Sequence, residues 1–250
     1  MLEIQNLSSG YPNHPVLQNI SLTFPKGSVT VIAGPNGCGK STLLKALAGI
    51  LPSSGSLTLS GEDLGQLTPR EMARRIAYLP QNRTVPEITA RRLVLHGRFP
   101  YLSYPRRYRR EDEDIANAAM KRLGIEDLAQ RSLASLSGGQ RQKVYIAMAL
   151  AQDTPVVLLD EPNTYLDIAH QIRMMELARL LAEEGKAVVL VLHDLTMALE
   201  WAGRLVVMGE GTVLTQGTPE EVFQSGCLSQ AFGVTVNRVR TEQGWKYYYT

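Results

Sequence analysis

The 250-residue chain is poor in the features that mark several large classes of protein. It has two cysteines, Cys38 and Cys227, too few for a disulfide framework. Cys38 lies inside a glycine-rich loop, and a reduced, cytosolic chain is the expectation. The opening residues MLEIQNLSSGYPNHP lack a basic start followed by an apolar run, so they do not read as a secretory signal. Apolar runs such as AVVLVLH fall far short of the roughly 20 residues that span a bilayer. If the protein works at a membrane, another component must hold it there. An excess of one charge is missing too: 26 basic and 24 acidic side chains leave +2, so no whole-molecule attraction to nucleic acid or acidic lipid follows. Neither an internal repeat nor a low-complexity tract is present. What the chain does have is apolar mass. Hydrophobic residues make up 44%, enough for a sizeable core in one large domain or two coupled lobes.

Hydrophobic periodicity divides the chain into three stretches. Near the N-terminus, MLEIQNLSSGY and NISLTFPKGSVTVIAG alternate and are rich in Val, Ile and Thr, as strands are. STLLKALAGI reads as a helix ended by Gly49, GSLTLSGEDL as a strand, and TPREMARRIA as a helix opened by Thr68 and Pro69. YLPQ is extended, because Pro80 biases Leu79 away from helix. From Val85 to Ala151 helical spacing dominates, as in EDEDIANAAMKRLGI and GGQRQKVYIAMALAQ. Beyond it, PVVLLD and AVVLVLHD read as buried parallel strands, separated by the helix IAHQIRMMELARLLAEEGK. LTMALEWAG is a further helix, RLVVMGEGTVLTQG a hairpin, TPEEVFQ a capped helix, and VTVNRVRTEQGWKYYYT a strand pair turning near Gly244. The pattern predicts an α/β core, residues 1–81 and 154–222, interrupted by a helical lobe, 82–153, and followed by a C-terminal strand pair, 223–250.

Two short motifs carry chemistry. GPNGCGKST follows a strand and opens a helix, with Gly34, Gly39, Lys40 and Ser41 at the spacing of a phosphate loop. Glycines let backbone N–H groups curl round phosphate oxygens, Lys40 reaches the β and γ phosphates, and Ser41 joins a Mg²⁺ shell. The alternative is a glycine-rich turn with a chance lysine. In VVLLDE, Asp160 ends an apolar strand where it can complete that metal site through water, and Glu161 is placed as a general base. An acidic pair after a strand also serves as a helix cap; its company with the loop favours catalysis. A third motif, SLSGGQRQ, holds neither nucleophile nor metal ligand. Ser137 can cap a helix whose free N–H groups attract an anion, and Gly138 and Gly139 leave room for something to approach.

The order GPNGCGKST, YLPQ, LSGGQ, VVLLDEP, YLD and VLHD resembles that of ABC-transporter ATPase subunits, from Tyr11 to about Phe223. No N-K-x-D base-reading motif is present, which sets aside the GTPases. The resemblance implies a P-loop (RecA-like) ABC ATPase core with an antiparallel β subdomain and an inserted α-helical subdomain. It also implies ATP and Mg²⁺ as cofactors, and a nucleotide site formed by Tyr11 against adenine and by Gly34, Pro35, Asn36, Gly37, Cys38, Gly39, Lys40, Ser41 and Thr42 around the phosphates. Gln81 resembles the residue that senses Mg²⁺ and water, and His193 the one that contacts the γ-phosphate. In this family Ser137, Gly138, Gly139 and Gln140 serve the ATP held by a second cassette, and Asp167 crosses to that partner. A head-to-tail pair, expected to be two identical chains, would then sandwich two nucleotides. The other implied partners are transmembrane permease subunits and, through them, a substrate-binding protein, with the cassette peripheral on the cytoplasmic face. Nucleic acid is not an expected partner.

Within the family, LDEPNTYLDIAHQ, LVLHGRFPYLS and LGIEDLAQRSLASLSGGQRQ resemble ATPases of importers for ferric siderophores, haem and cobalamin. Asn163 stands where threonine is more usual, and Thr196 where asparagine is. An importer or exporter of another solute, such as an oxyanion, is the alternative within transport. A soluble cassette acting on DNA or ribosomes is the alternative outside it. One basic stretch remains: ARRLVLHGRFPYLSYPRRYRR, Ala90 to Arg110, has seven arginines and no acid. It could bind nucleic acid or be a solvated face; the favoured reading is a groove for a permease helix, with Leu93, Leu95 and Phe99 as its apolar contacts.

Overall fold

A computed structural model describes residues 1–81, 83–242 and 244–250. The first part of the chain runs β1 (Leu2–Tyr11), β2 (His14–Phe24), β3 (Ser28–Ala33), α1 (Lys40–Leu47), β4 (Ser53–Leu59), β5 (Glu62–Asp63), α2 (Pro69–Met72) and β6 (Ile76–Leu79). Three helices follow, α3 (Ala90–His96), α4 (Arg110–Arg122) and α5 (Gly138–Ala151). The chain then returns through β7 (Val156–Asp160), α6 (Ile168–Glu183), β8 (Ala187–Val191), α7 (Leu195–Trp201), β9 (Arg204–Gly209), β10 (Thr212–Gly217) and α8 (Pro219–Gln224). It ends in α9 (Cys227–Phe232), β11 (Val236–Thr241) and β12 (Gly244–Tyr249).

Among the described residues the strands form three sheets. The largest has the order β10-β9-β3-β8-β7-β6; from β9 to β6 its neighbours are parallel. Both faces of its strands are covered, which is why AVVLV is apolar throughout and VVLLD is apolar up to its final Asp160. Successive residues point to opposite cores. Val188 and Leu190 of β8 pack with α6 and α7 on one face, while Val189 and Val191 pack with α1 and the second sheet on the other. That second sheet is antiparallel, in the order β2-β1-β4-β5. The third is the β11–β12 hairpin, whose Tyr247 is buried edge-on to Phe223 of α8.

Three local readings change in the structure. The TPREMARRIA helix stops at Met72, although Thr68 and Glu71 do form a capping box. Tertiary pairing overrides its propensity, because Ile76–Leu79 lie parallel to β7. The expected boundary at 222/223 falls inside α8, and residues 223–250 are not strands alone. A short helix, α9, precedes the hairpin, bounded by Gly226 (φ 71) and Gly233 (φ 68). The acid-free stretch is not a free basic face throughout. Leu93 and Val94 of α3 are buried, and Arg98 is 7% exposed. Arg98 Nε donates to Asp112 Oδ1 at 3.1 Å and Nη1 to the Ala151 carbonyl at 3.1 Å, which ties the ends of α3, α4 and α5 together.

Deleting one partner of a buried pair strands the other charge, at a cost of about 3–5 kcal/mol, whereas exposed pairs contribute up to about 1 kcal/mol. Asp112→Ala, which also removes the acceptor for the Arg109 N–H, is therefore expected to lower the urea midpoint strongly. Glu113→Ala, which breaks the more exposed pair with Arg91, should barely move it.

Candidate active site

The site lies at the carboxyl ends of neighbouring parallel strands, where open α/β sheets leave a crevice. β3 delivers the glycine-rich loop. A Cβ on Gly34 would stand 2.4 Å from the Met208 carbonyl oxygen, so no side chain fits there. Gly37 has open space beside it, but its φ of 81° suits glycine. Gly39, at φ 102, caps α1 and leaves the first N–H groups of that helix facing the loop. Lys40 is 6% exposed, and its Nζ donates to the carbonyls of Gly34 at 2.7 Å and Pro35 at 2.9 Å. Cys38 is buried below it, while Pro35 and Asn36 are exposed.

β7 ends in the acidic pair. Asp160 is 1% exposed and accepts from Ser41 Oγ at 3.1 Å and from the Tyr78 hydroxyl at 3.3 Å. Burial pushes its carboxyl above the usual range, the Ser41 hydroxyl pulls it back, and the Glu161 charge pushes it up again. Tyr78 is raised in turn, first by burial and then by Asp160. Glu161 leaves the strand at φ 51, a left-handed conformation that costs a non-glycine residue roughly 1–3 kcal/mol. Its Oε1 lies 2.5 Å from His193 Nε2, and its Oε2 accepts from Gln81 Nε2. Three side chains, from the ends of β6, β7 and β8, thus meet at one carboxylate.

A cleft of about 460 Å³ joins these groups. It is lined by Tyr11, Asn36, Gly37, Gly39, Lys40, Ser41, Thr42, Gln81, Glu161 and His193. Tyr11 stands at the rim, half exposed, and its hydroxyl accepts from Lys45 Nζ at 3.1 Å. His14 and Val16 of β2 line the cleft as well, without any motif to mark them. Tyr78 was equally unmarked; its one signal is a polar-tipped aromatic in the otherwise apolar strand IAYL.

The cradle suits a polyphosphate: backbone donors curl about a helix N-terminus, and one lysine faces the loop. Ser41 Oγ and Asp160 Oδ1 are hard oxygens side by side, a set that suits Mg²⁺, which keeps waters and phosphate oxygens in its shell. Among the described residues no three His, Cys, Asp or Glu cluster into a cage made of protein alone.

Ser137, Gly138, Gly139, Gln140 and Asp167 do not line this cleft. Ser137 Oγ accepts from the Gln140 N–H at 3.3 Å, and Gln140 Oε1 accepts from the Ser137 N–H at 3.1 Å, a reciprocal cap on α5. Tyr165, at φ 67 and 79% exposed, lies over that helix start: a Cβ on Gly138 would meet its Cβ at 3.4 Å. Asp167 caps α6 through the His170 N–H at 2.9 Å, and this bond, with the His170 ring, holds its carboxyl below the usual range. Thr196 donates to Asp194, the cap of α7, at 2.6 Å, and Asn163 donates to Met197 Sδ at 2.9 Å.

Comparison with known proteins bears on this geometry. A family model described as ABC transporter matches residues 17–164. The achromobactin transport ATP-binding protein CbrD of Dickeya dadantii (strain 3937) is 43% identical over 233 residues, covering 92% of this chain and 87% of the relative. The ferric enterobactin transport ATP-binding protein FepC of Escherichia coli (strain K12) is also 43% identical over 233 residues, covering 92% and 86%. The hemin import ATP-binding protein HmuV of Rhodococcus jostii (strain RHA1) is 44% identical over 222 residues, covering 88% and 75%. Among solved structures, a chain of a transporter described as metal-chelate type, in an inward-facing conformation, superposes with a TM-score of 0.85 at 27% identity, covering 100% of this chain and 96% of its own. The dimeric bacterial cassette MJ0796 superposes with a TM-score of 0.77 at 27% identity, covering 88% and 99%. Likeness of this degree along nearly the whole chain leads to one conclusion: the chain belongs to the ABC transporter family, as an ATP-binding subunit that couples ATP hydrolysis to transport.

Proposed function

We propose that this chain energises the import of a metal chelate, a ferric siderophore or haem first and cobalamin next. The observation that carries the reading is the convergence of Ser41, Gln81, Glu161 and His193 on one cleft beside the phosphate loop, with Asp160 hydrogen-bonded behind Ser41. The names of the relatives, which transport achromobactin, ferric enterobactin and hemin, support the choice of cargo.

The residues divide the chemistry among them. The N–H groups of the 34–42 loop and Lys40 hold the anionic oxygens of ATP, and Tyr11 offers its ring to the adenine. Ser41 and Asp160 hold Mg²⁺, with Gln81 at its edge. When bound, Mg²⁺ neutralises charge on the transferring phosphoryl group. Glu161 takes the proton of an attacking water, and His193 and Gln81 hold its carboxylate toward the cleft while contacting the γ-phosphate side. Ser137, Gly138, Gly139 and Gln140 lie outside the chain's own cleft, which supports their service to a second cassette. One loop and one signature per chain require a head-to-tail pair, here two identical chains, and closure of the pair excludes bulk water from the assembled site.

Among the described residues no helix is long and apolar enough to cross a membrane. In this reading the cassette works as a peripheral subunit on the cytoplasmic face, held by permease subunits that receive cargo from a binding protein. Within Ala90–Arg110, Leu93 is buried and Leu95 packs on the core, so the docking contacts narrow to Phe99, 44% exposed beneath Arg106, and its arginine neighbours.

Glu161→Gln should still bind ATP but lose about 10²–10⁴-fold in turnover, the usual contribution of a positioned base. Near-normal turnover in a single-turnover assay would remove Glu161 from that role. Inactive Lys40→Ala and Ser137→Arg chains, mixed and shown to form mixed dimers, should regain activity, since one rebuilt site is then intact. No recovery in verified mixed dimers would argue against a shared site. A cysteine at Phe99 should crosslink to the cytoplasmic loop of the co-isolated membrane subunit, with a yield that changes on adding ATP; absence of any crosslink in a transporting complex would move the docking surface elsewhere.

A further inference from the structure

Glu161 owes its aim to an awkward backbone. A left-handed residue at the end of a strand persists only when its flanking peptide groups are pinned. On one side the Glu161 N–H donates to the Val191 carbonyl at 3.2 Å. On the other, the Glu161 carbonyl accepts from the Thr164 N–H at 3.3 Å, and one peptide further along the Pro162 carbonyl accepts from Gln142 Nε2 at 2.6 Å. Gln142 belongs to α5, the helix opened by the signature motif, and is 4% exposed. The other end of its amide, Oε1, accepts from Arg83 Nη2 at 2.7 Å. Its orientation is therefore determined, since the carbonyl can only accept and the guanidinium can only donate.

Arg83 lies two residues beyond Gln81, where the chain leaves the core for the helices. Its guanidinium stacks 4.6 Å from the Tyr145 ring centre, and the Tyr145 hydroxyl donates to the Thr84 carbonyl at 2.6 Å. A pocket of about 360 Å³ opens beside Arg83, Gln142 and Tyr145. Packing alone does not confine the arginine; the stack and the hydrogen bond do. The chain of contacts runs from Arg83, through a buried amide of the helical lobe, to the Pro162–Asn163 peptide, one residue beyond Glu161.

We propose that Gln142 and Arg83 are positioning residues for Glu161, transmitting the placement of the signature helix and of the segment after Gln81 to the backbone that aims the base. The inference rests on the reading of Glu161 as that base. It makes hydrolysis sensitive to the seating of α5 against the turn after β7, without contact between either residue and the nucleotide.

Gln142→Glu separates positioning from simple packing. The carboxylate still accepts from Arg83, but its second oxygen now opposes the Pro162 carbonyl. In the full-length protein, kcat should fall on the order of 10- to 100-fold, as misplacement of a catalytic group does. The KM for ATP should stay near its starting value, and kcat is compared at a temperature well below the thermal midpoint, which the loss of a buried hydrogen bond lowers. Arg83→Ala should lower kcat less, and combined with Gln142→Ala should cost no more than Gln142→Ala alone, because both act through one chain of contacts. Should Gln142→Glu not fold, Arg83→Ala and Tyr145→Phe, which disturb the chain at its outer end, decide the matter. Folded variants that hydrolyse at the parent rate, or losses that multiply independently, would overturn the proposal. Glu161→Gln assayed alongside distinguishes the failures. If it turns over normally, the base assignment has failed; if it is inactive while the Gln142 and Arg83 variants are normal, only the positioning chain has.

Discussion

The register of three parallel strands underlies everything the site does. Ile32 of β3 and Asp160 of β7 both pair with Val191 of β8, so the three strands end level with one another. The loop carrying Lys40, the acid pair and His193 therefore leave the sheet at the same height. A slip of one residue in β7 would turn Asp160 to the opposite face and take its carboxylate away from Ser41. Register is enforced because both faces of the sheet are packed: each slip would exchange the residues that fill two cores.

Order in the sheet matters as much as register. β8 lies between β3 and β7, which places His193 between the phosphate loop and the acid pair. β6 borders β7, which brings Gln81 to the far side of Glu161. The Glu161 carboxylate is flanked from both sides by groups separated from it in the chain by tens of residues. The left-handed backbone at Glu161 is the local cost of pointing a strand-end carboxylate across the cleft.

The helical lobe is secured differently. Its helices hold the buried Arg98–Asp112 pair and share one apolar cluster with Val157, Leu159 and α6 of the core, to which Gln142 and Pro162 add a polar link near the site. Polar links have sharper geometry than apolar packing. Two surfaces can slide over an apolar contact, but they make or break such a bond.

Much of the chemistry was legible in the chain alone, because it resides in local spacing. A glycine-rich loop between strand and helix binds phosphate through its own backbone, so GPNGCGKST carries its geometry with it. Asp160 and Glu161 follow an apolar strand directly, and the Ser137–Gln140 cap is closed within four consecutive residues. The signature's position between the loop and the acid pair identified the family for the same reason. What depended on distant partners was not legible. Leu93 read as a contact for a permease helix, and Arg98 as one arginine of an acid-free stretch, until α4 and α5 enclosed them. Nothing near Tyr78 in sequence reveals Asp160, and nothing near Arg83 reveals Gln142. Pairing with β7 ended a helix that local propensity would have continued through Ile76. Local backbone geometry is encoded by adjacent residues, but burial, and the partners that make a buried polar group tolerable, are set only when the chain has closed on itself.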